Sequence, residues 1–178
     1  WVSKYGKNTA FFCTNDAHTE PLLKQLAANG GFFIEADLPS PLMGYPGAFG
    51  IDLAAEAGNW PVILEKVEKA VSDAGAAGRM GTWAFSYGYT NSVALAEFGK
   101  RIVEGTAKLD SKDDLMACYG EYTPGAKWNG NYYTDLGTGV TSKNHLLVYQ
   151  DTYIFGKGFM NAASVEVPEK YGQIKMTK

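Results

Sequence analysis

The chain has 178 residues, of which 46% are apolar and 20% charged, with 16 Lys and Arg against 19 Asp and Glu for a net charge of -3. A chain of this length buries roughly 70% of its unfolded surface and needs no disulfide or metal to fold. The balanced charge, with no cluster of Lys or Arg, argues against a nucleic-acid partner, because a phosphate backbone is met by a concentrated basic patch.

Thr9 to Thr14 is a short, mostly apolar run of the kind buried on both faces in a parallel sheet, and Asn15-Asp16 ends it. From Glu20 to Ala28 the pattern is helical, with Leu22, Leu23, Leu26 and Ala27 on one side and Glu20 four residues before Lys24. Thr19 is the expected N-cap, which places Pro21 in the first turn where its missing N–H does no harm. Asn29-Gly30-Gly31 stops the helix, and Phe32 to Ala36 resumes a buried strand, so this segment reads as a right-handed β-α-β unit. Residues 37–50 hold three prolines and three glycines around Leu42, Met43, Tyr45 and Phe49, a pattern that predicts a packed connection.

Trp60 to Ala74 carries Ile63, Val67, Ala70, Val71 and Ala74 at helical spacing, with Asn59 as N-cap and Pro61 in the first turn. A strand is predicted over Arg79 to Phe85, and a second amphipathic helix over Thr90 to Glu104 with Leu95, Phe98 and Ile102 inward. Beyond Asp110 the spacing predicts a short helix at Asp113 to Tyr119, a loop rich in Gly, Asn and Tyr from Gly120 to Gly139, and a strand from Asn144 to Phe155. The tail from Pro168 is polar and reads as frayed. The longest uncharged run, Met80 to Ala96, is broken by Gly, Ser, Thr, Tyr and Asn, whereas a membrane-spanning helix needs about 20 predominantly apolar residues.

In an open parallel sheet, ligands bind beyond the carboxyl ends of the strands. Two segments fit that rule. Asn15 and Asp16 follow the first strand and offer an amide and a carboxylate, with turn and capping bonds as the competing use. Trp83 to Tyr89 follows a later strand, where Trp83 and Tyr87 can form the wall of a site for a planar or sugar-like ligand, with core packing as the competing use. Tyr45 and the segment Trp128 to Tyr133 are weaker candidates, combining aromatic rings with polar neighbours. Catalysis has less support: the chain has no Gly-x-Ser-x-Gly elbow, phosphate-binding loop or His-Glu-x-x-His. Cys13 lies in an apolar strand, where burial makes a thiol inert, and His18 and His145 read as structural or exposed. No catalytic residue, metal site or cofactor is therefore assigned. The enzyme alternative is a hydrolase or lyase built on Asp16 and His18; a third reading makes Tyr119 to Tyr133 a face for protein contact.

Thr-Ala-Phe-Phe-Cys-Thr-Asn-Asp at residues 9–16, followed by a helix and Gly30-Gly31-Phe32-Phe33-Ile34, resembles the strand-Asn-Asp-helix-Gly-strand unit of type I periplasmic solute-binding proteins. More narrowly, residues 5–12, Glu20-Pro21-Leu22, Pro39-Ser40-Pro41 and Gly44-Tyr45-Pro46-Gly47-Ala48 resemble an uncharacterised family of bacterial envelope lipoproteins with that fold. The resemblance implies an α/β fold with a mainly parallel Rossmann-like sheet in each lobe, lacking the N-terminal part. Residues 1–41 would supply a strand-helix-strand unit of one lobe, 42–110 the hinge crossing and helix-strand-helix of the other, and 111–178 an extension completing both. It further implies extracytoplasmic capture of a small polar solute, sugar- or nucleoside-like, by hinge closure, with Asp16 and Asn15 contacting the ligand. The expected partners are that ligand, a membrane transporter or sensor, and either the absent N-terminal portion or a second copy.

Overall fold

The computed structural model describes residues 1–135 and 137–161, so the reading of the tail from Pro168 lies outside the described residues. A short helix α1 (Val2–Tyr5) leads into strand β1 (Ala10–Cys13), a single 3-10 turn at Asp16–His18, helix α2 (Thr19–Asn29) and strand β2 (Phe32–Ala36). Helix α2 starts at Thr19 itself, so Thr19 is the first helical residue; it is fully buried, and its hydroxyl caps nothing. Gly30, at φ 90°, ends the helix in a backbone conformation that L side chains rarely adopt.

The connection after β2 is packed, as its apolar residues require, and contains the short helix α3 (Tyr45–Phe49). Helix α4 (Trp60–Asp73) buries Trp60, Ile63, Val67 and Val71 along one stripe; Asn59 precedes it without a side-chain cap. Strand β3 (Gly81–Trp83) is fully buried and shorter than its apolar run, because the chain turns at Ala84 to enter helix α5 (Tyr87–Val103). That helix starts three residues before the predicted Thr90. Its inward stripe is Thr90, Ala94 and Phe98, and Leu95 lies exposed on the other side.

The C-terminal third departs most from expectation. Helix α6 (Lys112–Glu121) is capped by Ser111, whose hydroxyl accepts the Asp114 N–H at 3.2 Å. The predicted loop after it contains strand β4 (Trp128–Thr134), paired antiparallel with strand β5 (Thr141–Gln150). The single strand expected from Asn144 to Phe155 breaks at Asp151 into β5 and β6 (Thr152–Ile154), and the hairpin partner of β6 is β7 (Gly158–Phe159).

These pairings overturn the expected mainly parallel, Rossmann-like sheets of the type I periplasmic-binding-protein kind. Strands β1 and β2 pair in parallel, with a bulge between Phe11 and Phe12, and one parallel bridge joins Phe33 to Met80. The other pairings among the described strands, β3 with β6, β6 with β7 and β4 with β5, are antiparallel. The fold is mixed α/β with small antiparallel sheets. The physical reason is the length of the connections: parallel neighbours need a crossover of a dozen or more residues, which α2 supplies between β1 and β2, whereas the short turn from β6 to β7 permits only a hairpin.

Three apolar clusters hold the molecule together. The largest joins β1, β2, α2, α3 and α4 around Leu23, Phe33, Tyr45, Val67, Met80 and Phe155. A second packs α5 and α6 against the β4–β5 ribbon through Ala94, Phe98, Leu115, Cys118 and Tyr119. Between them, Trp60, Ile63, Ala84 and Phe85 form a third.

Candidate functional site

Three chain segments meet beyond the carboxyl ends of β1, β2 and β3. After β1, Asn15 is extended and its Oδ1 accepts the Ala17 N–H at 3.0 Å, capping the 3-10 turn. Asp16 Oδ1 accepts the Leu38 N–H at 3.2 Å, tying the end of β1 to the segment after β2. That segment turns at Ser40, whose Oγ accepts the Leu42 N–H and whose carbonyl accepts the Met43 N–H, each at 3.0 Å. The Tyr87 N–H, in the first turn of α5, donates to the Pro39 carbonyl at 2.9 Å and fastens the third segment to the second.

Between the second and third of these segments lies a cleft of about 410 Å³, lined by Leu38, Ser40, Leu42, Met43, Ser86, Tyr87 and Gly88. Leu38, Leu42 and Tyr87 are each more than 40% exposed, so an aliphatic and aromatic surface stands open to water beside the hydroxyl of Ser86, while Ser40, which also lines the cleft, is buried. Such a surface packs the face of a ring, and a hydroxyl both donates and accepts hydrogen bonds.

The residues singled out from the sequence divide into three groups. Tyr87 lines the cleft. Asp16 supports it from behind through Leu38, and Asn15, exposed beside it, spends its side-chain oxygen on the turn. Trp83 and Tyr45 are core. Trp83 is 9% exposed, its ring 5.9 Å from that of Tyr87 and edge-on to Trp128 at 5.4 Å, so it backs Tyr87 and does not face the cleft. Tyr45 is fully buried, its hydroxyl donating to the Gly81 carbonyl at 2.8 Å and its ring lying against Phe33, Phe49 and Phe155. The segment Trp128 to Tyr133 lies in β4, away from the cleft lining.

The thiol and carboxylate near His18 are engaged elsewhere: buried Cys13 donates to the Asn15 carbonyl at 3.0 Å, and Asp16 holds Leu38. Cys118 is also a free, buried thiol, pushed up from its ordinary pKa by burial. Among the described residues no group of three or more His, Cys, Asp or Glu side chains could hold a metal ion, and no helix is long and apolar enough to cross a membrane.

Sequence reasoning missed Leu38, Ser40, Leu42 and Met43 as cleft residues, although the Pro- and Gly-rich run of residues 37–50 predicted a packed connection. It also missed Glu35. This carboxyl lies in β2, 9% exposed, with Oε1 accepting from the Thr82 hydroxyl at 2.8 Å and from the Ala36 N–H at 3.1 Å, while Oε2 is buried without a partner. Burial raises its pKa to about 8, against the opposing pull of the bonds from Thr82, Ala36 and Trp83. The signal that could have found it is a lone charge inside the apolar run Phe-Phe-Ile-Glu-Ala.

Comparison with known proteins gives a family but no activity. A family model described as "Protein of unknown function (DUF3798)" matches residues 1–81, and a second family model matches residues 92–174. An uncharacterised protein of Treponema pallidum (strain Nichols) is 44% identical over 71 residues, 40% of this chain and 31% of that protein. Another from the same strain is 30% identical over 81 residues, 45% of this chain and 91% of that protein. In fold, the chain is similar to a crystal structure described as a "Putative transcriptional regulator" from Clostridium difficile 630, with a TM-score of 0.70 and 21% identity, over 86% of this chain and 42% of that one. The chain thus spans about a third of the first relative and less than half of the structural neighbour. The structural likeness bears on the fold alone, and with the antiparallel sheets it replaces the expected periplasmic-binding-protein class. The chain belongs to an uncharacterised bacterial family, shared with these Treponema pallidum proteins.

Proposed function

We propose that the protein reversibly binds a small polar solute, sugar- or nucleoside-like, in the cleft between Leu38–Met43 and Ser86–Gly88, and that it does so outside the cytoplasm for uptake or sensing. The observation that carries the reading is a cleft whose two walls, Leu38–Met43 and Ser86–Gly88, are tied together by the Tyr87–Pro39 hydrogen bond, with Asp16 bracing the first wall from behind through Leu38. The site is therefore preorganised, which lowers the ordering cost of binding. Tyr87 offers the stacking face, Leu38, Leu42 and Met43 the apolar wall, and Ser86 the hydroxyl that orients a ligand's polar edge, while buried Ser40 fixes the turn of that wall through Leu42. The extracytoplasmic placement is supported by the motif resemblance around Pro39-Ser40-Pro41 and Gly44 to Ala48. A membrane transporter or sensor would be the protein that receives the ligand.

Calorimetric titration of the 178-residue chain with a panel of purine and pyrimidine nucleosides and common monosaccharides tests this. One class is expected to bind, with Tyr87→Ala weakening it at least tenfold and Asp16→Ala weakening it less, by loosening the Leu38 rim. Silence across the whole panel would overturn the reading. Binding that survives both Tyr87→Ala and Ser86→Ala unchanged would move the site away from this cleft.

A further inference from the structure

A larger hollow lies at the other end of the α5–α6 unit and shares no residue with the cleft above. It is about 600 Å³ and is lined by Leu109, Asp110, Leu115, Tyr132, Lys143 and Leu146. An adjoining cavity of about 390 Å³ is lined by Asp110, Tyr132, Thr141, Ser142 and Lys143. The two meet at Asp110, Tyr132 and Lys143. On one side of that junction the surface is aliphatic, from Leu109, Leu115 and Leu146; on the other it carries hydroxyl side chains.

The junction is built from separate elements. The Tyr132 hydroxyl donates to the Asp110 carbonyl at 2.8 Å, pinning the connection before α6 to β4. Leu115 and Leu146 belong to the apolar cluster between α6 and the ribbon, whereas Leu109 is 77% exposed, an aliphatic side chain at the mouth of an aliphatic hollow. Opposite charges that line the same space ordinarily pair. Here they do not: among the described residues neither the Asp110 carboxylate nor the Lys143 ammonium takes part in an ion pair, although six other pairs form. A carboxylate and an ammonium that line one space without pairing, beside an apolar surface, present the complement of a molecule that carries both charges and an apolar substituent.

We propose that this hollow is a second binding site, for a free α-amino acid with an apolar side chain: its carboxylate meets Lys143, its ammonium meets Asp110, and its side chain lies on Leu109, Leu115 and Leu146. A simple anion would leave Asp110 facing it unfavourably, and a simple cation would do the same with Lys143. The amphipathic zwitterion satisfies both charges and covers Leu109.

The test is calorimetric titration of the whole chain with L-leucine and L-phenylalanine, and in parallel with phenylalanine methyl ester, which lacks the carboxylate, and N-acetylphenylalanine, which lacks the ammonium. At least one free amino acid is expected to bind, with each blocked derivative at least tenfold weaker. Lys143→Gln is expected to erase the discrimination against the ester, and Asp110→Asn that against the acetylated form. Lys143→Arg should retain binding, and thermal denaturation should show all three variants folded. Tyr87→Ala should leave amino-acid binding unchanged, which separates this site from the cleft. The proposal is overturned if neither amino acid binds, if the blocked derivatives bind as well as the free ones, or if Lys143→Gln and Asp110→Asn leave affinity intact.

Discussion

Glu35 shows how one side chain couples the core to solution conditions. Its carboxyl lies between β2 and β3, bonded to Thr82 on the neighbouring strand, with Tyr45 beside it as the titratable group whose hydroxyl is itself pushed well above its ordinary range by burial and then by the Glu35 charge. Desolvation disfavours the charged form, so Glu35 releases its proton near pH 8 in the folded protein but near 4.5 when unfolded. Below the unfolded value it is protonated in both states and adds no pH dependence. Between the two values the native state holds a proton that the unfolded chain has lost, so stability falls as pH rises, by about 1.4 kcal/mol per pH unit from this group alone. Above the folded value both states are ionised and the loss is complete. Glu35→Gln removes the titration and keeps an amide oxygen for Thr82 and Ala36. Urea denaturation of both proteins at pH 5 and pH 9 should show the variant gaining steadily on the native sequence as pH rises. A constant difference would mean that Glu35 is ionised throughout.

Among the elements, α3 depends on two glycines. Gly44 has φ 74°, and a Cβ there would lie 2.7 Å from the Glu20 backbone nitrogen and 2.8 Å from Thr19 Cγ2, so the start of α3 sits directly on the start of α2. At Gly47 a Cβ would fall on the Glu20 carboxylate, the far end of a flexible side chain that can swing aside. Gly44→Ala is therefore expected to cost at least about 2 kcal/mol, from the strained φ and a clash with backbone, and Gly47→Ala less than about 1 kcal/mol; equal losses in urea denaturation would show that the close approach at Gly44 is not the constraint. The same contrast explains what was legible in the sequence. Helices α2 and α4 announced themselves because their apolar stripes and early prolines are local signals. The start of α5 was misplaced because Tyr87 and Gly88 carry no helical periodicity, and its turn is fixed by the distant Pro39 carbonyl. Strand β4 was hidden because Asn, Gly and Tyr read as loop until β5 supplies a partner. At the cleft, Tyr87 and the Asx turn could be read from strand ends, but the Leu38–Met43 wall is created by tertiary contacts, and nothing local distinguishes a core Tyr45 from a wall Tyr87.

At the scale of the whole molecule, the question is whether its apolar clusters unfold together. The cluster of α2, α3 and α4 shares Leu53, Leu64 and Tyr153 with that of Trp60, Ile63, Ala84 and Phe85, which in turn reaches α5 through Tyr89 and the end of β5 through Gln150. Phe85 is central to that link: its ring lies 6.2 Å from Trp60, and its N–H donates to Gln150 Oε1 at 3.4 Å, at the end of β5. Trp60 in turn meets Tyr89 of α5 at 5.2 Å. Truncating a buried Phe to Ala removes transfer free energy and leaves a cavity, at a typical cost of about 3–5 kcal/mol. Because this loss falls on the joint, it should uncouple the clusters as well as weaken the fold. Native-state hydrogen exchange reads the two effects separately. In the unaltered chain, core amides of α4 and of α6 are expected to exchange through the same global opening. In Phe85→Ala, the α6 and β4 amides should open at lower free energy than those of α4, since the ribbon unit holds fewer buried residues of its own. If both sets of amides lose protection equally, the clusters are bound by contacts other than this joint and the chain remains one cooperative unit.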